Sequence, residues 1–314
     1  MEKQFLIAVC GPTASGKTSL AVRLAQELDG EVVSADSMQI YKYLNIAVAK
    51  PTEEETQGIP HHLIDFLDPK EGFSVADYVR LAKEKIADIA AHGKQPIVCG
   101  GTGLYISSLI DNISFDEDGG QDMEYREELG RLAAEKGNEY VLDMLREIDP
   151  ETAARLHPNN LKRIIRALEV YKLSGKTMSE AQRDSRKEPS PYQPCMLMID
   201  YDRETLYGRI DRRVDVMLEQ GLIDEAREFF GHTDYSTAAQ AIGYKELKPY
   251  ISGEEPLEVC VERLKRETRR YAKRQLTWFY RDERIFRILA DMNTDNEEIF
   301  RKAKNYIKTC RNSG

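Results

Sequence analysis

A short glycine-rich segment near the beginning of the chain, residues 11–18 (GPTASGKT), sets the strongest limit on its fold. It fits the pattern G-x-x-x-x-G-K-[ST] and lies between a continuous apolar run, Phe5–Cys10, and a helical pattern that reaches Leu28. A strand buried on both faces, then such a loop and a helix, is typical of parallel α/β sheets whose loop cradles phosphate groups. The segment therefore predicts an α/β fold that binds a di- or triphosphate.

Each part of this loop suits an anion. Its glycines let the backbone curl so that successive N–H groups point inward, and the following helix adds partial positive charge at its amino end. Lys17 neutralises phosphate oxygens, and Thr18 is the expected ligand of a magnesium ion. The predicted phosphate-binding residues of the loop are Gly11, Pro12, Thr13, Ala14, Ser15, Gly16, Lys17 and Thr18.

Alternating apolar runs and amphipathic stretches indicate a parallel sheet flanked by helices. From about Phe115 to Pro191 the periodicity is helical without a convincing strand. We predict strands over Phe5–Cys10, Glu31–Ser34, Gln95–Cys99 and Cys195–Tyr201, and helices over 16–28, 74–92, 203–220, 222–230 and 256–280. The expected fold is a P-loop NTPase-like α/β domain over 1–114 and 192–314, with an all-helical insertion domain over 115–191.

Charge is distributed unevenly along the chain. If acidic and basic residues were evenly distributed along the chain, a net charge of −9 would disfavour a nucleic-acid partner, because basic residues supply most of the affinity for phosphate backbones. Residues 116–128 hold seven acids and one base, whereas residues 263–274 hold seven bases and one acid. Within the basic segment, Arg266 and Arg270 fall on one helical face that suits an RNA backbone, although many such faces are only solvated. The negative total therefore leaves an RNA partner open.

Cysteine usage and apolar segments predict a cytoplasmic protein. The five cysteines stand singly, without the paired spacing of zinc sites or of a disulfide framework. The amino-terminal apolar run is too short for a signal peptide or a membrane span.

His61 and His62 have no third ligand at a suitable spacing, so a capping or core role is favoured over a metal site.

Two polar residues follow predicted strands at the sheet edge where the loop should lie. Asp36 comes after the second strand, and Thr102 comes after the strand that ends at Cys99. A carboxylate at that edge can act as a base, or either residue can be an ordinary turn residue. Kinases and NTPases place a magnesium-binding aspartate there, for which Asp65 is only a weaker candidate. A small-molecule kinase or NTPase is the alternative function.

Six segments resemble the tRNA dimethylallyltransferases (tRNA isopentenyltransferases), in the family's order and over most of the chain. They are 11–18 (GPTASGKT), 35–41 (ADSMQIY), 100–105 (GGTGLY), 163–168 (RIIRAL), 240–245 (QAIGYK) and 268–278 (TRRYAKRQLTW). The resemblance implies transfer of a dimethylallyl group from dimethylallyl diphosphate to N6 of adenosine 37, beside the anticodon of tRNA, with magnesium and release of diphosphate. Among these enzymes, the chain resembles the bacterial type, since the paired cysteines and histidines of the eukaryotic zinc finger are absent near the carboxyl end.

The resemblance also implies residue roles. Asp36 is the general base, Thr102 lies where leaving group and nucleophile meet, and Thr18 binds magnesium. We place Arg209 and Arg213 on the diphosphate because their i, i+4 spacing puts them on one helical face, with solvated surface charges as the alternative. The predicted tRNA-binding residues are Asp36, Ser37, Met38, Gln39, Lys162, Arg163, Arg166, Gln240, Ala241, Ile242, Gly243, Tyr244, Lys245, Arg266 and Arg270.

An adenine extruded from its stack needs a pocket that recognises its edge. The residues directly after Asp36 are placed for this, and Gln39 can both donate and accept hydrogen bonds, although turn roles are possible. Two further alternatives are a non-catalytic RNA-binding protein with a vestigial nucleotide site and an enzyme that prenylates free adenine nucleotides. A monomer is expected.

Overall fold

Parallel strands form the centre of the larger of two units into which the chain folds. The structure, a computed structural model, describes residues 3–115, 120–232 and 241–312. The larger unit comprises Met1–Ile110 and Pro191–Gly314, and the smaller comprises Asp111–Ser190. The chain therefore leaves the sheet-containing unit once and later returns to it.

The strands run side by side in one direction. They are β1 (Gln4–Cys10), β2 (Gly30–Ser34), β3 (His61–His62), β4 (Gln95–Gly100), β5 (Tyr192–Tyr201) and β6 (Ile285–Ala290). In the described part of the chain they form one sheet in the order β3-β2-β4-β1-β5-β6, and every neighbouring pair is parallel. This confirms the predicted α/β class. The sequence pattern does not indicate β3 and β6, because β3 is only two residues long and β6 is an edge strand with exposed positions.

Helices flank the sheet and build the smaller unit. In chain order they are α1 (Lys17–Leu28), α2 (Glu53–Thr56), α3 (Val75–Ala91), α4 (Gly103–Ile110), α5 (Met123–Lys136), α6 (Asn138–Ile148), α7 (Pro150–Ala153), α8 (Leu161–Ser174), α9 (Met178–Asp184), α10 (Arg203–Glu219), α11 (Leu222–Gly231), α12 (Tyr244–Ile251), α13 (Leu257–Phe279) and α14 (Asn296–Asn312). The predictions that correspond to α1, α3, α10, α11 and α13 are confirmed to within one residue at each end. Among the described residues, no helix is both long and apolar enough to cross a bilayer.

The apolar side chains of the larger unit form separate clusters. One packs β1 residues such as Ile7 against Leu24 of α1 and Ile299 of α14. Another joins the segment after β2 to helices α10 to α13, with Tyr41 and Tyr244 fully buried. The second cluster thus ties a loop near the amino terminus to helices almost 200 residues later.

Among its described residues, the smaller unit contains helices and no strand, and it has its own core. Leu129, Leu142 and Leu168 are buried in that core, each contributed by a different helix. Glu169 is also fully buried and accepts hydrogen bonds from Arg126 and Arg166. Pairing with two guanidinium groups is what makes burial of this carboxylate tolerable.

Candidate active site

Three strands of the sheet end at the same carboxyl edge, here called the rim, and the candidate site lies there. β1 leads into Gly11, β2 into Asp36 and β4 into Thr102. The N–H of Thr102 donates to the Ala35 carbonyl over 3.0 Å, and the N–H of Ser37 donates to Thr102 Oγ1 over 3.0 Å. The segments after β2 and β4 are therefore joined directly at the carboxyl edge of the sheet, where ligands of open α/β folds bind.

The phosphate-binding loop is curled before α1 begins. Ala14 and Gly16 have φ values of 61° and 83°, and the second is a conformation that glycine adopts at little cost. Lys17 Nζ donates to the Pro12 carbonyl over 3.2 Å, so the ammonium group is folded back over the loop. Ser15 Oγ is buried and finds no hydrogen-bond partner among the residues that the structure describes. A backbone turned in this way can present N–H groups and a charged amine to a phosphate.

Neighbouring charges affect the ionisation of Lys17 and of Arg213. Burial lowers the pKa of Lys17, the Arg213 guanidinium lowers it further, and the Asp36 carboxylate raises it. Burial likewise lowers the pKa of Arg213, which the carboxylates of Glu55 and Asp36 raise. Such effects act between charges that lie close together and are poorly hydrated. Asp36 therefore lies near enough to affect the ionisation of both Lys17 and Arg213.

Arg209 and Arg213 of α10 serve the loop in different ways. Arg209 Nε donates to the Ala14 carbonyl over 2.8 Å, and its guanidinium lies 4.7 Å from the centre of the Tyr201 ring. Arg213 is half-buried and makes no hydrogen bond or ion pair within the described residues. A cation held near a phosphate-binding loop without a partner is an incomplete ion pair. It has the position and charge to meet an anionic ligand.

The Asp36 carboxylate uses its two oxygens differently. Oδ1 accepts hydrogen bonds from the N–H groups of Met38 at 2.9 Å and Gln39 at 3.4 Å. Oδ2 accepts none within the described residues. Asp36 is thus a turn residue through one oxygen, and the other oxygen is left for a ligand. The two interpretations offered by the sequence are compatible.

Gln39 stabilises the loop, which restricts its predicted role in adenine recognition. Its Nε2 donates to the carbonyls of Val48 at 3.2 Å and Ala49 at 2.9 Å, and its Oε1 accepts from Ser34 Oγ at 3.3 Å. Both donor hydrogens are used, so only a lone pair on Oε1 is left for an adenine edge. Met38 packs against the apolar cluster that contains Ile40.

Most of segment 240–245 supports the fold. Gln240 lies outside the described residues, and Ile242 is half-buried against the apolar cluster around Tyr244. Ala241 and Tyr244 are 2% and 0% exposed, so their side chains offer no surface in this conformation, and their role in tRNA binding stays a prediction. Gly243 is also buried. Lys245 is exposed, and its contact with RNA stays a prediction.

The predicted basic positions differ in availability. Arg266 and Arg270 are exposed on α13 and share one acidic neighbour, Glu267. In the smaller unit, Lys162 and Arg163 are exposed at the start of α8. Arg166 instead pairs with the buried Glu169 at 2.5 Å and donates to the Gly120 carbonyl at 3.2 Å. Its guanidinium therefore has a structural role that the basic pattern did not indicate.

Sequence reasoning did not assign Gln275, which links two parts of the rim. Its Oε1 accepts from the Thr13 N–H at 2.9 Å, its Nε2 donates to the Gly101 carbonyl at 3.0 Å, and it is buried. One turn earlier on α13, Tyr271 is close enough to Asp36 for that carboxylate to raise its pKa, although burial is the larger cause. Both residues belong to segment 268–278, whose resemblance to the family was the available signal.

The two adjacent histidines are engaged by protein groups. His61 Nδ1 lies 2.8 Å from the Ile59 carbonyl, and burial lowers the pKa of His61, which favours the neutral ring. His62 Nε2 lies 2.6 Å from Glu31 Oε2. Across the described ranges, no three His, Cys, Asp or Glu side chains are grouped to hold a metal ion.

Asp65 follows a strand that is not adjacent to the one leading into the phosphate-binding loop. It follows β3, which β2 and β4 separate from β1. With neighbouring strands about 4.8 Å apart, this places β3 roughly 14 Å from β1. The Asp65 carboxylate instead accepts a hydrogen bond from Lys50 Nζ at 2.5 Å. The magnesium-binding aspartate that a kinase or NTPase needs is therefore not supplied by Asp65.

Comparison with known proteins gives concordant matches. The family model described as IPP transferase matches residues 39–282. A tRNA dimethylallyltransferase of Acetivibrio thermocellus is 49% identical over 306 residues, which cover 97% of each chain. The full-length tRNA isopentenylpyrophosphate transferase of Bacillus halodurans superimposes with a TM-score of 0.72 at 42% identity, over 99% of both chains. A eukaryotic dimethylallyltransferase described as acting on tRNA gives a TM-score of 0.83 at 29% identity, over 98% of this chain and 80% of that one.

Proposed function

Because the chain belongs to the IPP transferase family, we propose that its rim site moves a dimethylallyl group from dimethylallyl diphosphate to N6 of adenosine 37 in tRNA. It is a transferase that modifies tRNA, and this activity takes precedence over the kinase or NTPase alternative. The observation that supports this chemistry best is Arg213, a half-buried cation that makes no hydrogen bond or ion pair within the described residues and lies near enough to Lys17 to lower its pKa.

The bond-forming step needs a proton acceptor beside the adenine. N6 attacks C1 of the dimethylallyl group while the bond from C1 to the diphosphate oxygen breaks, and the diphosphate leaves with that electron pair. The N6 amine is nearly non-basic before attack and becomes acidic as its bond to carbon forms. Asp36 Oδ2 then accepts the proton, while the N–H groups of Met38 and Gln39 hold Oδ1 in place.

Stabilising the departing diphosphate is the main task of the other residues. An allylic cation is delocalised, so the bond to diphosphate ionises readily once the negative charge is received. Lys17, Arg213 and the N–H groups of the loop supply that stabilisation, while Arg209 supports the loop through the Ala14 carbonyl. Thr102 Oγ1 accepts from the Ser37 N–H, and this contact with the residue after Asp36 supports the proposal that the hydroxyl lies at the junction of the two substrates.

The residues at the loop fit a magnesium ion. Magnesium prefers oxygen ligands and usually combines one or two protein ligands with substrate phosphates and water. The Thr18 hydroxyl, in the first turn of α1, makes no hydrogen bond within the described residues and is free to act as such a ligand. Bound there, the ion would spread the charge of the leaving diphosphate.

Binding of tRNA is assigned to exposed bases in both units. Arg266, Arg270 and Lys245 in the larger unit and Lys162 and Arg163 in the smaller one are available to the phosphate backbone. Ser37, Met38 and the free lone pair of Gln39 are the proposed adenine contacts, and the helical insertion is proposed to contact the anticodon stem-loop. We expect the enzyme to work as a monomer in the cytoplasm.

Incubation with unmodified tRNA and dimethylallyl diphosphate tests the proposal. We expect the mass of the tRNA to rise by one C5H8 unit, which nuclease digestion maps to the adenosine beside the anticodon, with one diphosphate released per transfer. ATP in place of dimethylallyl diphosphate serves as the control for a kinase or NTPase. Release of phosphate from ATP, with no change in tRNA mass, would overturn the assignment.

A further inference from the structure

An exposed tryptophan lies against the polypeptide segment that carries Thr102. Trp278 is in the last turn of α13, and 41% of its surface is exposed. A Cβ atom built on Gly103 would lie 2.3 Å from Cδ1 and 2.7 Å from Nε1 of the indole, so only glycine lets the ring pack here. Trp278 is thus held beside the residue that directly follows Thr102.

Three arginines precede this tryptophan at four-residue intervals. Arg266, Arg270, Arg274 and Trp278 are neighbours along the surface of α13, and all four are exposed. From 266 to 281 the chain has six basic residues and a single acid, Glu267. Leu104, the first residue after Gly103, is 47% exposed and adds apolar surface next to the indole. The row of arginines therefore leads to an apolar, aromatic end.

This combination has the chemistry of a site for single-stranded nucleic acid. Basic side chains follow the phosphate backbone, while an aromatic ring stacks on an unpaired base through its π-face. A duplex hides those faces, whereas the nucleotides beside adenosine 37 lie in a loop. An aromatic ring that served stability alone could be buried in the protein core. The Trp278 ring is instead accessible at the rim of the site.

We propose that Trp278 stacks on an unpaired nucleobase adjacent to the adenosine that is prenylated, and that Arg266, Arg270 and Arg274 neutralise the phosphates of the strand leading to it. This inference rests on the proposed function. Stacking holds the neighbouring base on the protein while the target adenine leaves its own stack to meet Asp36. Trp278 is therefore a substrate-positioning residue of the RNA side and has no part in binding the diphosphate.

Intrinsic fluorescence tests the contact directly, because Trp278 is the only tryptophan in the chain. The probe is an RNA hairpin with the anticodon stem and loop, first shown by mass to be prenylated by the wild-type enzyme. Titration of the hairpin should quench and shift the tryptophan emission. Two matched hairpins lack the base on the 5′ or the 3′ side of the target, and one of them should bind without quenching. Unchanged emission at saturation, or equal quenching by all three hairpins, would overturn the proposal.

Substitutions separate stacking from charge. Trp278→Leu should weaken hairpin binding by between about 5-fold and 150-fold and leave the KM for dimethylallyl diphosphate unchanged, whereas Trp278→Phe should retain most of the affinity. Trp278→Leu should also preserve the slope of log affinity against log salt, which Arg266→Glu and Arg270→Glu should flatten. Equal affinity of the Leu and wild-type proteins would assign Trp278 to packing. If the wild-type enzyme prenylates no RNA, the proposed function fails as well, whereas prenylation with unmoved emission rejects the stacking inference alone.

Discussion

Two loops meet at the same rim of the sheet but are held in place by different means. The phosphate-binding loop, residues 11–18, takes its curl from left-handed backbone conformations at residues such as Ala14 and Gly16. The loop after β2, residues 36–50 and here called the acceptor loop, is held from a distance. Both oxygens of Glu225 in α11 accept hydrogen bonds from the consecutive N–H groups of residues 45–47, and Tyr244 adds its hydroxyl.

This difference separates the two halves of the reaction. The diphosphate half depends on a local backbone shape that a short motif encodes, with supporting bonds from Arg209 and Gln275. The adenosine half depends on helices that follow the insertion, since Glu225 lies about 180 residues after the loop it holds. We therefore expect changes around the phosphate-binding loop to affect leaving-group departure and changes around the acceptor loop to affect the use of tRNA.

The largest effect is expected at Asp36, the proposed proton acceptor in the acceptor loop. Asp36→Asn keeps an oxygen that can accept from the N–H groups of Met38 and Gln39, so the loop should keep its shape. Loss of the carboxylate should lower kcat by about 10²- to 10⁴-fold. Single-turnover prenylation assays measure this, with tRNA affinity as the control for folding. Retention of more than about a tenth of wild-type turnover would contradict the base role.

The next effect is expected for Arg213, on the diphosphate side. Arg213→Met removes a cation from the space around Lys17 and should lower kcat by about 10²- to 10³-fold, in the range seen when one donor to a developing anion is lost. Arg212→Met is the matched control, because Arg212 is exposed on the same helix. Steady-state kinetics with both substrates would show the contrast. Similar losses of kcat in the two variants would show that Arg213 is a surface charge of the helix with no role in stabilising the diphosphate.

A smaller and more selective effect is expected for Glu225. Glu225→Gln replaces an acceptor oxygen with a donor and leaves an N–H group of residues 45–47 unsatisfied, which costs about 1–3 kcal/mol. The acceptor loop should then lose order, and kcat/KM for tRNA should fall about tenfold, equivalent to about 1.4 kcal/mol. The KM for dimethylallyl diphosphate should not change. Glu228→Gln, an exposed position on the same helix, is the control. Equal losses of kcat/KM for tRNA in both variants would show that Glu225 does not hold the acceptor loop in place.

The smallest effect is a pH shift at Lys17. Burial and the Arg213 guanidinium both lower the pKa of Lys17, so the charged amine is lost at a lower pH than in a free lysine. Activity that needs this charge should therefore decline on the alkaline side earlier than an ordinary lysine would allow. Arg213→Met removes one of the lowering influences and should move the alkaline limb of kcat/KM upward, by less than about one pH unit. A downward shift would contradict the arrangement.

Particular residues show where sequence interpretation succeeded. The strand, loop and helix around Lys17 were predictable because each is specified by neighbouring residues, and α3 was predictable because Ser74 and Asp77 form a local capping box. The prediction that Asp36 and Thr102 reach one edge followed from parallel topology alone. Arg166 shows the opposite case, because a basic helical pattern does not reveal that its partner is the buried Glu169.

The amino-acid sequence alone determined the α/β class, the curl of the phosphate-binding loop and the order of the strands and helices that it predicts, because these depend on contacts between close neighbours in the chain. Only the tertiary structure decided that Gln39 supports the acceptor loop, that Glu225 holds residues 45–47, and that Trp278 lies against Gly103. The last two contacts join residues about 180 positions apart in the chain, and they exist only after packing has brought distant helices to the rim.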